Sequence, residues 1–191
     1  MKKARIIIGT VFLLAGCILL SIPLYYEWQH TREVRALEEA LSLISDGDEL
    51  PDDAAFTYEE VTAVLELEIP SIDLKQMVLN ETTEENLSIA LTQLKTDQLP
   101  GQGNFAIAGH RGYRGDRHFS RLPDVSVGDK IYLNTPSETF VYQITDISII
   151  EPEDVGILAD QDGKTEITLI TCTRSGKQRV AVKGEFLEVT G

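Results

Sequence analysis

Polar and apolar positions divide the chain into three regimes. From Ile6 to Tyr26 the run is apolar and uncharged, close to the ~20 residues a helix needs to cross a bilayer. From Thr31 to Ile44 the pattern turns amphipathic: Val34, Leu37, Leu41 and Ile44 recur at helical spacing and predict a juxtamembrane helix. Asp46-Gly47-Asp48-Glu49-Leu50-Pro51-Asp52-Asp53 then reads as a breaker and acidic linker. Beyond Val61 most of the chain breaks into short strands bounded by Gly, Pro, Asn or Asp. They are predicted at Val64–Ile69, Met77–Val78, Phe105–Gly109, Lys130–Asn134, Thr139–Ile150, Glu166–Thr171 and Val180–Leu187. A further helix is predicted over Thr82–Leu94, with Thr82 or Thr83 as N-cap and Glu84 and Glu85 in a first turn where carboxylates suit the helix dipole. About 130 residues suffice for one modest core. Short strands around one core predict a mainly β fold, a mostly antiparallel and closed or nearly closed barrel with a few short helices. There is no internal repeat.

Three of the strands share one division of labour, because side chains alternate between faces along a strand. Phe105 and Ile107 fall on one face, Ala106, Ala108 and His110 on the other. Ile167, Leu169 and Thr171 oppose Thr168, Ile170 and Cys172, and Val180 and Val182 oppose Arg179, Ala181 and Lys183. Each strand thus offers large apolar groups to a core and small or reactive groups to its reverse side. If the three are neighbours, His110, Cys172 and Arg179 meet on one groove floored by alanine. Half-buried strands whose polar faces merely meet water would show the same period.

Cys172 is the one cysteine outside the N-terminal apolar run. A lone strand cysteine is commonly a small inert hydrophobe, but one with a histidine and an arginine on the same face has the parts of a thiol acyl-transfer site. Cys17 lies in the apolar run, so a disulfide would need two remote environments to meet. With His30, His110 and His118 as the remaining imidazoles, a zinc site is not expected, and neither is any cofactor.

Charge is lopsided: 31 acidic residues face 17 basic ones. Lys2, Lys3 and Arg5 are the basic residues of the first 26, which hold no acid, so the remainder sets 14 basic against 31 acidic residues, a formal charge of −17. That excludes a nucleic-acid partner and suits a soluble, self-repelling ectodomain. The basic N-terminus predicts a cytoplasmic segment at residues 1–5, a membrane anchor at 6–26 in contact with lipid, a juxtamembrane helix and linker at 27–60, and an extracellular domain at 61–191. Two processed forms compete with the anchor: a cleaved signal peptide, for which Ser21–Tyr26 offers no convincing site, and a lipoprotein, for which Leu14-Ala15-Gly16-Cys17 resembles a cleavage box. One local exception to the acidity is the run Arg111, Arg114, Arg117 and Arg121, tempered by Asp116 and Asp124. It reads as a solvated loop or as a positive rim for an anionic segment or cell-wall precursor.

Thr168-Leu169-Ile170-Thr171-Cys172 is a complete TLxTC signature. Together with Ala108-Gly109-His110-Arg111, Arg179-Val180-Ala181-Val182-Lys183-Gly184, Leu67-Glu68-Ile69-Pro70-Ser71-Ile72 and Pro100-Gly101-Gln102-Gly103-Asn104, in that family's order, it resembles the sortases, cysteine transpeptidases of Gram-positive cell surfaces. The likeness runs from about Val64 to the C-terminus. It implies an eight-stranded sortase-type barrel. It further implies that Cys172 attacks a C-terminal LPxTG-like sorting signal to form a thioacyl-enzyme, that His110 moves the proton, and that Arg179 holds the substrate backbone and stabilises the oxyanion. Ala106, Ala108 and Ile170 correspond to groove-lining positions, and Thr171 to an architectural one. The implied partners are the sorting-signal peptide of a surface protein and a cell-wall amine such as lipid II. Val127-Gly128-Asp129 and the stretch after His110, with Tyr113, Phe119 and Leu122, are most similar to class D, then class A. The end of the chain at Gly191, just past the last strand, and the lack of an Asp-Pro-aromatic lid fit the pilin-polymerising class poorly. Departures from the family pattern are Asn80 in place of a glycine and a short loop between Cys172 and Arg179.

Rivals within the chain are Arg174 for the arginine and His118 for the histidine, the latter expected in a loop near the rim. Outside the family, an exported cysteine hydrolase would use the same groups and give the thioacyl intermediate to water. An L,D-transpeptidase would need a Ser/Thr-His-Gly approach that is absent before Cys172. A noncatalytic surface-binding barrel would use none of this chemistry.

Overall fold

The computed structural model describes residues 2–46, 48–51, 53–112 and 117–191. Gly47 and Asp52 of the acidic linker, and Tyr113, Arg114 and Asp116 of the run after His110, lie outside the described residues. The chain divides into two compact units, Met1–Ala55 and Phe56–Gly191.

The first unit is built on one helix, α1 (Lys2–Asp46), rather than an anchor followed by a separate juxtamembrane helix. Nothing between Tyr26 and Thr31 breaks a helix, and Pro23 is carried inside it. Its 45 residues reach about 68 Å at ~1.5 Å per residue, roughly twice the ~30 Å hydrocarbon core of a bilayer. Ile8–Ile44 contains a window long and apolar enough to cross a membrane. At the polar end of the apolar run, Tyr25 packs against Tyr26 and Trp28, with ring centroids 6.0 and 6.3 Å apart. The Arg32 guanidinium lies 4.7 Å from the Trp28 ring, an aromatic and cationic girdle of the kind that sits at a membrane–water interface.

In the second unit, eight strands among the described residues close into a barrel: β1 (Leu65–Ile69), β2 (Leu74–Leu79), β3 (Leu91–Gln93), β4 (Asn104–Ala108), β5 (Lys130–Asn134), β6 (Thr139–Ile150), β7 (Glu166–Cys172) and β8 (Arg179–Thr190). Their spatial order is β1-β2-β3-β4-β7-β8-β6-β5, with β5 returning to β1. The pairs β2·β3 and β4·β7 are parallel and the rest antiparallel. A short helix α2 (Tyr58–Thr62) leads in, held by a reciprocal capping box between Thr57 and Glu60. The alternation of the sequence delivers the core: Leu67, Ile69, Phe105, Ile107, Leu133, Ile167, Leu169 and Val182 are fully buried inside the barrel. Tyr142 is buried with them. Its hydroxyl accepts the Gly101 N–H at 2.9 Å, and burial pushes its phenol pKa up.

The expected helix at Thr82–Leu94 is only half a helix. Thr83 caps α3 (Glu84–Ile89), whose Oγ1 accepts from the Asn86 N–H at 3.0 Å. Ala90 is already extended (φ −147°, ψ −174°), and Leu91–Gln93 form β3. Tertiary demand overrides the helical pattern here. Leu91 and Thr92 are fully buried, and β3 fills the place between β2 and β4, whose facing edges would otherwise leave backbone groups unpaired. Since β2 and β3 run parallel, α3 is the crossover that connects them.

Candidate active site

Strands β4, β7 and β8 lie side by side, so the three reactive segments are neighbours. The register puts Ala106 against Thr168 and Ala108 against Ile170 across β4·β7, then Ile170 against Ala181 and Cys172 against Arg179 across β7·β8. Two residues past Ala108, the same register brings His110 level with Cys172. One transverse row of the sheet therefore carries His110, Cys172 and Arg179, with Ala108, Ile170 and the fully buried Ala181 as the next row down.

The end of that row is pinned by short-range contacts. The Gly109 N–H donates to the Ile170 carbonyl at 3.1 Å, extending the β4·β7 ladder past the last residue of β4. The Thr171 hydroxyl, buried beneath, donates to the Gly109 carbonyl at 2.8 Å. A side chain at Gly109 would drive into Leu91 and come within 2.8 Å of Phe119 Cδ2, so only glycine lets the chain pass between them. His110 is exposed, Cys172 and Arg179 half-buried, and Cys172 is a free thiol. Arg179 turns its guanidinium toward the β7–β8 turn, donating to the carbonyls of Gly176 and Gln178, both at 3.2 Å.

A cleft of about 260 Å³ opens beside the row, lined by His110, Arg111, Gly112, Ser120, Cys172, Thr173, Arg174 and Gly176. Of the two candidate arginines, Arg174 faces this cleft while Arg179 is the strand partner of Cys172. His118 departs from the expected rim position. It is buried, takes a left-handed backbone (φ 48°) and pairs with Arg111 in an isolated bridge. Its ring meets that of His110 edge to face, centroids 6.5 Å apart. The Phe119 N–H closes the loop on the His110 carbonyl at 3.1 Å.

Of the predicted groove residues, Ala108 and Ile170 are half-buried beside the reactive row. Ala106 is a correction: it is fully buried. The Gln98 carboxamide clamps its backbone with two 2.8 Å hydrogen bonds, accepting from the Ala106 N–H and donating to its carbonyl. No surface of Ala106 is left for a ligand to touch.

Below Ala106 the groove is closed by the segment joining β6 to β7. Asn104 donates from its backbone to Asp160 at 2.9 Å and from its side chain to the Ile157 carbonyl at 2.9 Å, while its side-chain oxygen accepts from Thr168 at 2.7 Å. Lys95 pairs with Asp160 at 2.8 Å. The ammonium and the Asn104 N–H together hold the Asp160 carboxyl below its ordinary pKa. The buried Glu166 pairs with Lys183 at 3.2 Å. Among the described residues, no cluster of three or more His, Cys, Asp or Glu is placed to hold a metal ion.

Chemically, such a row can supply a sulfur nucleophile, a proton carrier and a fixed positive charge within one short stretch of surface. A sortase domain model matches residues 67–187, from β1 into β8. Sortase A of Bacillus anthracis is 30% identical over 98% of this chain and 97% of its own length. Sortase D of Bacillus subtilis is 28% identical over 71% of this chain and 67% of its own. The solved structure of Listeria monocytogenes sortase A superposes with a TM-score of 0.64 at 30% identity, covering 66% of this chain and 89% of that one. Relatives named sortase A and sortase D both match, so the likeness does not separate the classes. With the family model covering nearly the whole barrel and a relative aligned along almost the full chain, the chain belongs to the sortase family of transpeptidases.

Proposed function

We propose that this sortase is a membrane-anchored cysteine transpeptidase that cleaves an LPxTG-like sorting signal and passes the surface protein to a cell-wall amine such as that of lipid II. The observation that carries the reading is the single row formed by His110, Cys172 and Arg179 on three adjacent strands. The Cys172 thiolate attacks the carbonyl carbon at the scissile bond, giving a tetrahedral oxyanion. As that intermediate collapses, the C–N bond breaks, His110 gives a proton to the leaving amine, and a thioester remains. An accepting amine then attacks the thioester carbonyl and yields its proton to His110, and the C–S bond breaks to return the thiolate. Arg179, always charged and rich in directed donors, steadies the oxyanion and the peptide backbone once its guanidinium leaves the turn carbonyls. Ala108 and Ile170 line the path of the acyl segment.

The N-terminal residues 1–5 lie in the cytoplasm in this reading, residues 6–26 span the membrane, and residues 61–191 act outside the cell, with 27–60 as the stalk. Lys2, Lys3 and Arg5 before the apolar run support that orientation, and the Tyr25–Trp28 girdle suits the far boundary of the span. The test is incubation with a labelled LPxTG peptide and a small amine. A mass increase on Cys172 followed by transfer to the amine supports the proposal. Hydrolysis alone would favour a cysteine hydrolase, and the absence of any adduct a noncatalytic binding barrel.

A further inference from the structure

The sheet that carries the reactive row also sets where the groove ends. Asn104 is level with Glu166, the first residue of the strand that Cys172 closes, which at ~3.3 Å per residue puts it about 20 Å from the nucleophile. An acyl segment laid along Ile170 and Ala108 has about 13 Å of sheet, the length of roughly four extended residues. It then meets the polar latch that Asn104 makes with Ile157 and Asp160. Substrate residues further from the scissile bond must pass over that latch. Directly beyond it, at the N-terminal end of β4, lies a second hollow of about 350 Å³, whose lining includes Lys95, Asp97, Gln98, Leu99, Gly103 and Asp160.

The hollow is built rather than incidental. Gln98 is locked by its two bonds to the buried Ala106. Gly103 takes a left-handed backbone (φ 53°), and a Cβ there would stand 2.8 Å from the Asp160 carboxyl, so glycine lets the β6–β7 segment come down onto this loop. The Gln102 N–H closes a turn on the Leu99 carbonyl at 3.2 Å, and the Gly101 N–H is held by the buried Tyr142 hydroxyl at 2.9 Å. On this pinned loop Asp97 is also left-handed (φ 57°), a region thinly populated outside glycine, asparagine and aspartate, and Leu99 keeps 55% of its surface in water. A loop already fixed in this shape costs a binding partner little ordering entropy. Lys95 is engaged by Asp160 at 2.8 Å, and one cation against two carboxylates leaves the lining with a formal charge of −1. Such a volume holds roughly twelve waters at ~30 Å³ each, room for one or two amino-acid residues.

We infer that this hollow is a subsite for the part of the surface protein that precedes the sorting motif. It takes about the fifth to seventh residues before the scissile bond, counted at ~3.3 Å each, with an apolar side chain against Leu99 and a basic one against Asp97. The inference rests on Cys172 being the acyl carrier and on the acyl segment following Ala108 and Ile170.

The test uses acetylated peptides that share one LPxTG-like motif. One begins at the motif, one is preceded by Lys-Leu-Lys-Leu and one by Gly-Ser-Gly-Ser. The rate of thioacyl formation is measured for each with the parent, Asp97→Asn and Leu99→Ser. Asparagine tolerates the left-handed backbone and removes only the charge. The parent should show kcat/KM roughly tenfold higher for the Lys-Leu extension than for the bare motif, mostly through KM, since the contact is remote from the reacting bond. Each variant should lose about threefold on the Lys-Leu peptide, the size of an exposed ion pair or a partly covered leucine. Neither should change on the bare motif, which also shows that both variants fold. The Asp97 share should shrink between 20 mM and 300 mM salt as screening lengths contract. Equal kcat/KM for all three peptides with the parent overturns the subsite and leaves the transpeptidase reading intact. So does an advantage that the Gly-Ser extension matches, or one that both variants keep in full. No thioacyl formation from any peptide overturns both.

Discussion

Thr171→Val tests how the nucleophile strand holds the histidine. Thr171 is 2% exposed, and its hydroxyl donates to the Gly109 carbonyl at 2.8 Å, the residue between the end of β4 and His110. Valine nearly matches the shape but removes the donor. Leaving a buried carbonyl without its partner costs about 1–3 kcal/mol, so about 2 kcal/mol is expected, or near 6 °C in Tm at roughly 3 °C per kcal/mol for a domain of this size. Activity should fall further than stability implies. Once Gly109 is released, His110 loses its register with Cys172, and a displacement of about 1 Å can cost on the order of a hundredfold in rate. Thr171→Ser keeps the hydroxyl and gives up one methyl, worth about 0.8 kcal/mol, so it should be mildly destabilised yet turn over near the parental rate. Urea denaturation and the rate of thioacyl formation, measured side by side for both variants, decide the matter. A valine variant with parental rate, or a serine variant slower than the valine one, would refute the coupling of Thr171 to His110 through Gly109.

Cys172→Ala and His110→Ala should each abolish covalent capture of a labelled sorting peptide while leaving the melting curve cooperative; substantial turnover by the alanine-172 protein would end the cysteine mechanism. Arg179→Lys keeps the charge but loses the planar fork of donors, so turnover should drop at unchanged Tm, whereas Val180→Asp, which turns a carboxylate into the core, should unfold the barrel; parental turnover by Arg179→Lys would move the oxyanion role elsewhere. His118→Ala removes a buried ring in contact with His110 and should cost roughly 2 kcal/mol together with a loss of turnover that His118→Phe partly restores; two variants with parental kinetics would show that the ring contact has no part in catalysis. The Asp160 carboxyl has a lowered folded pKa, so its stabilising effect is full above the unfolded value of about 3.9 and disappears as pH falls through the lower folded value. Asp160→Asn should therefore flatten the acid limb of the stability profile below about pH 4, and an unaltered limb would show that the Lys95 pair does not couple to folding.

Much of the site could be read from the sequence because it obeys a short-range rule. Alternation along a strand is set by backbone geometry, so the partition of Ala108 and His110, Ile170 and Cys172, and Arg179 and Ala181 to one face follows from their spacing alone. The TLxTC signature and its companion motifs carried the family. The apolar run and its basic flank marked a segment able to cross a membrane, since length and hydrophobicity are additive along the chain.

What needed the tertiary structure is whatever depends on a partner distant in sequence. That β4, β7 and β8 are adjacent, and that Cys172 pairs with Arg179 while His110 falls level with them, are facts of strand order. Leu91–Gln93 becomes a strand because β2 and β4 leave a gap that only it can fill, although its local pattern continues a helix. Ala106 shares a face with Ala108 but is sealed by Gln98, eight residues away. His118, read as a loop residue, is buried because a return of the chain lays it against His110. Arg174, the rival of Arg179 in the sequence, lines the cleft because the β7–β8 turn brings it there. Local periodicity decides which way a side chain points; only the packing of remote segments decides what it meets.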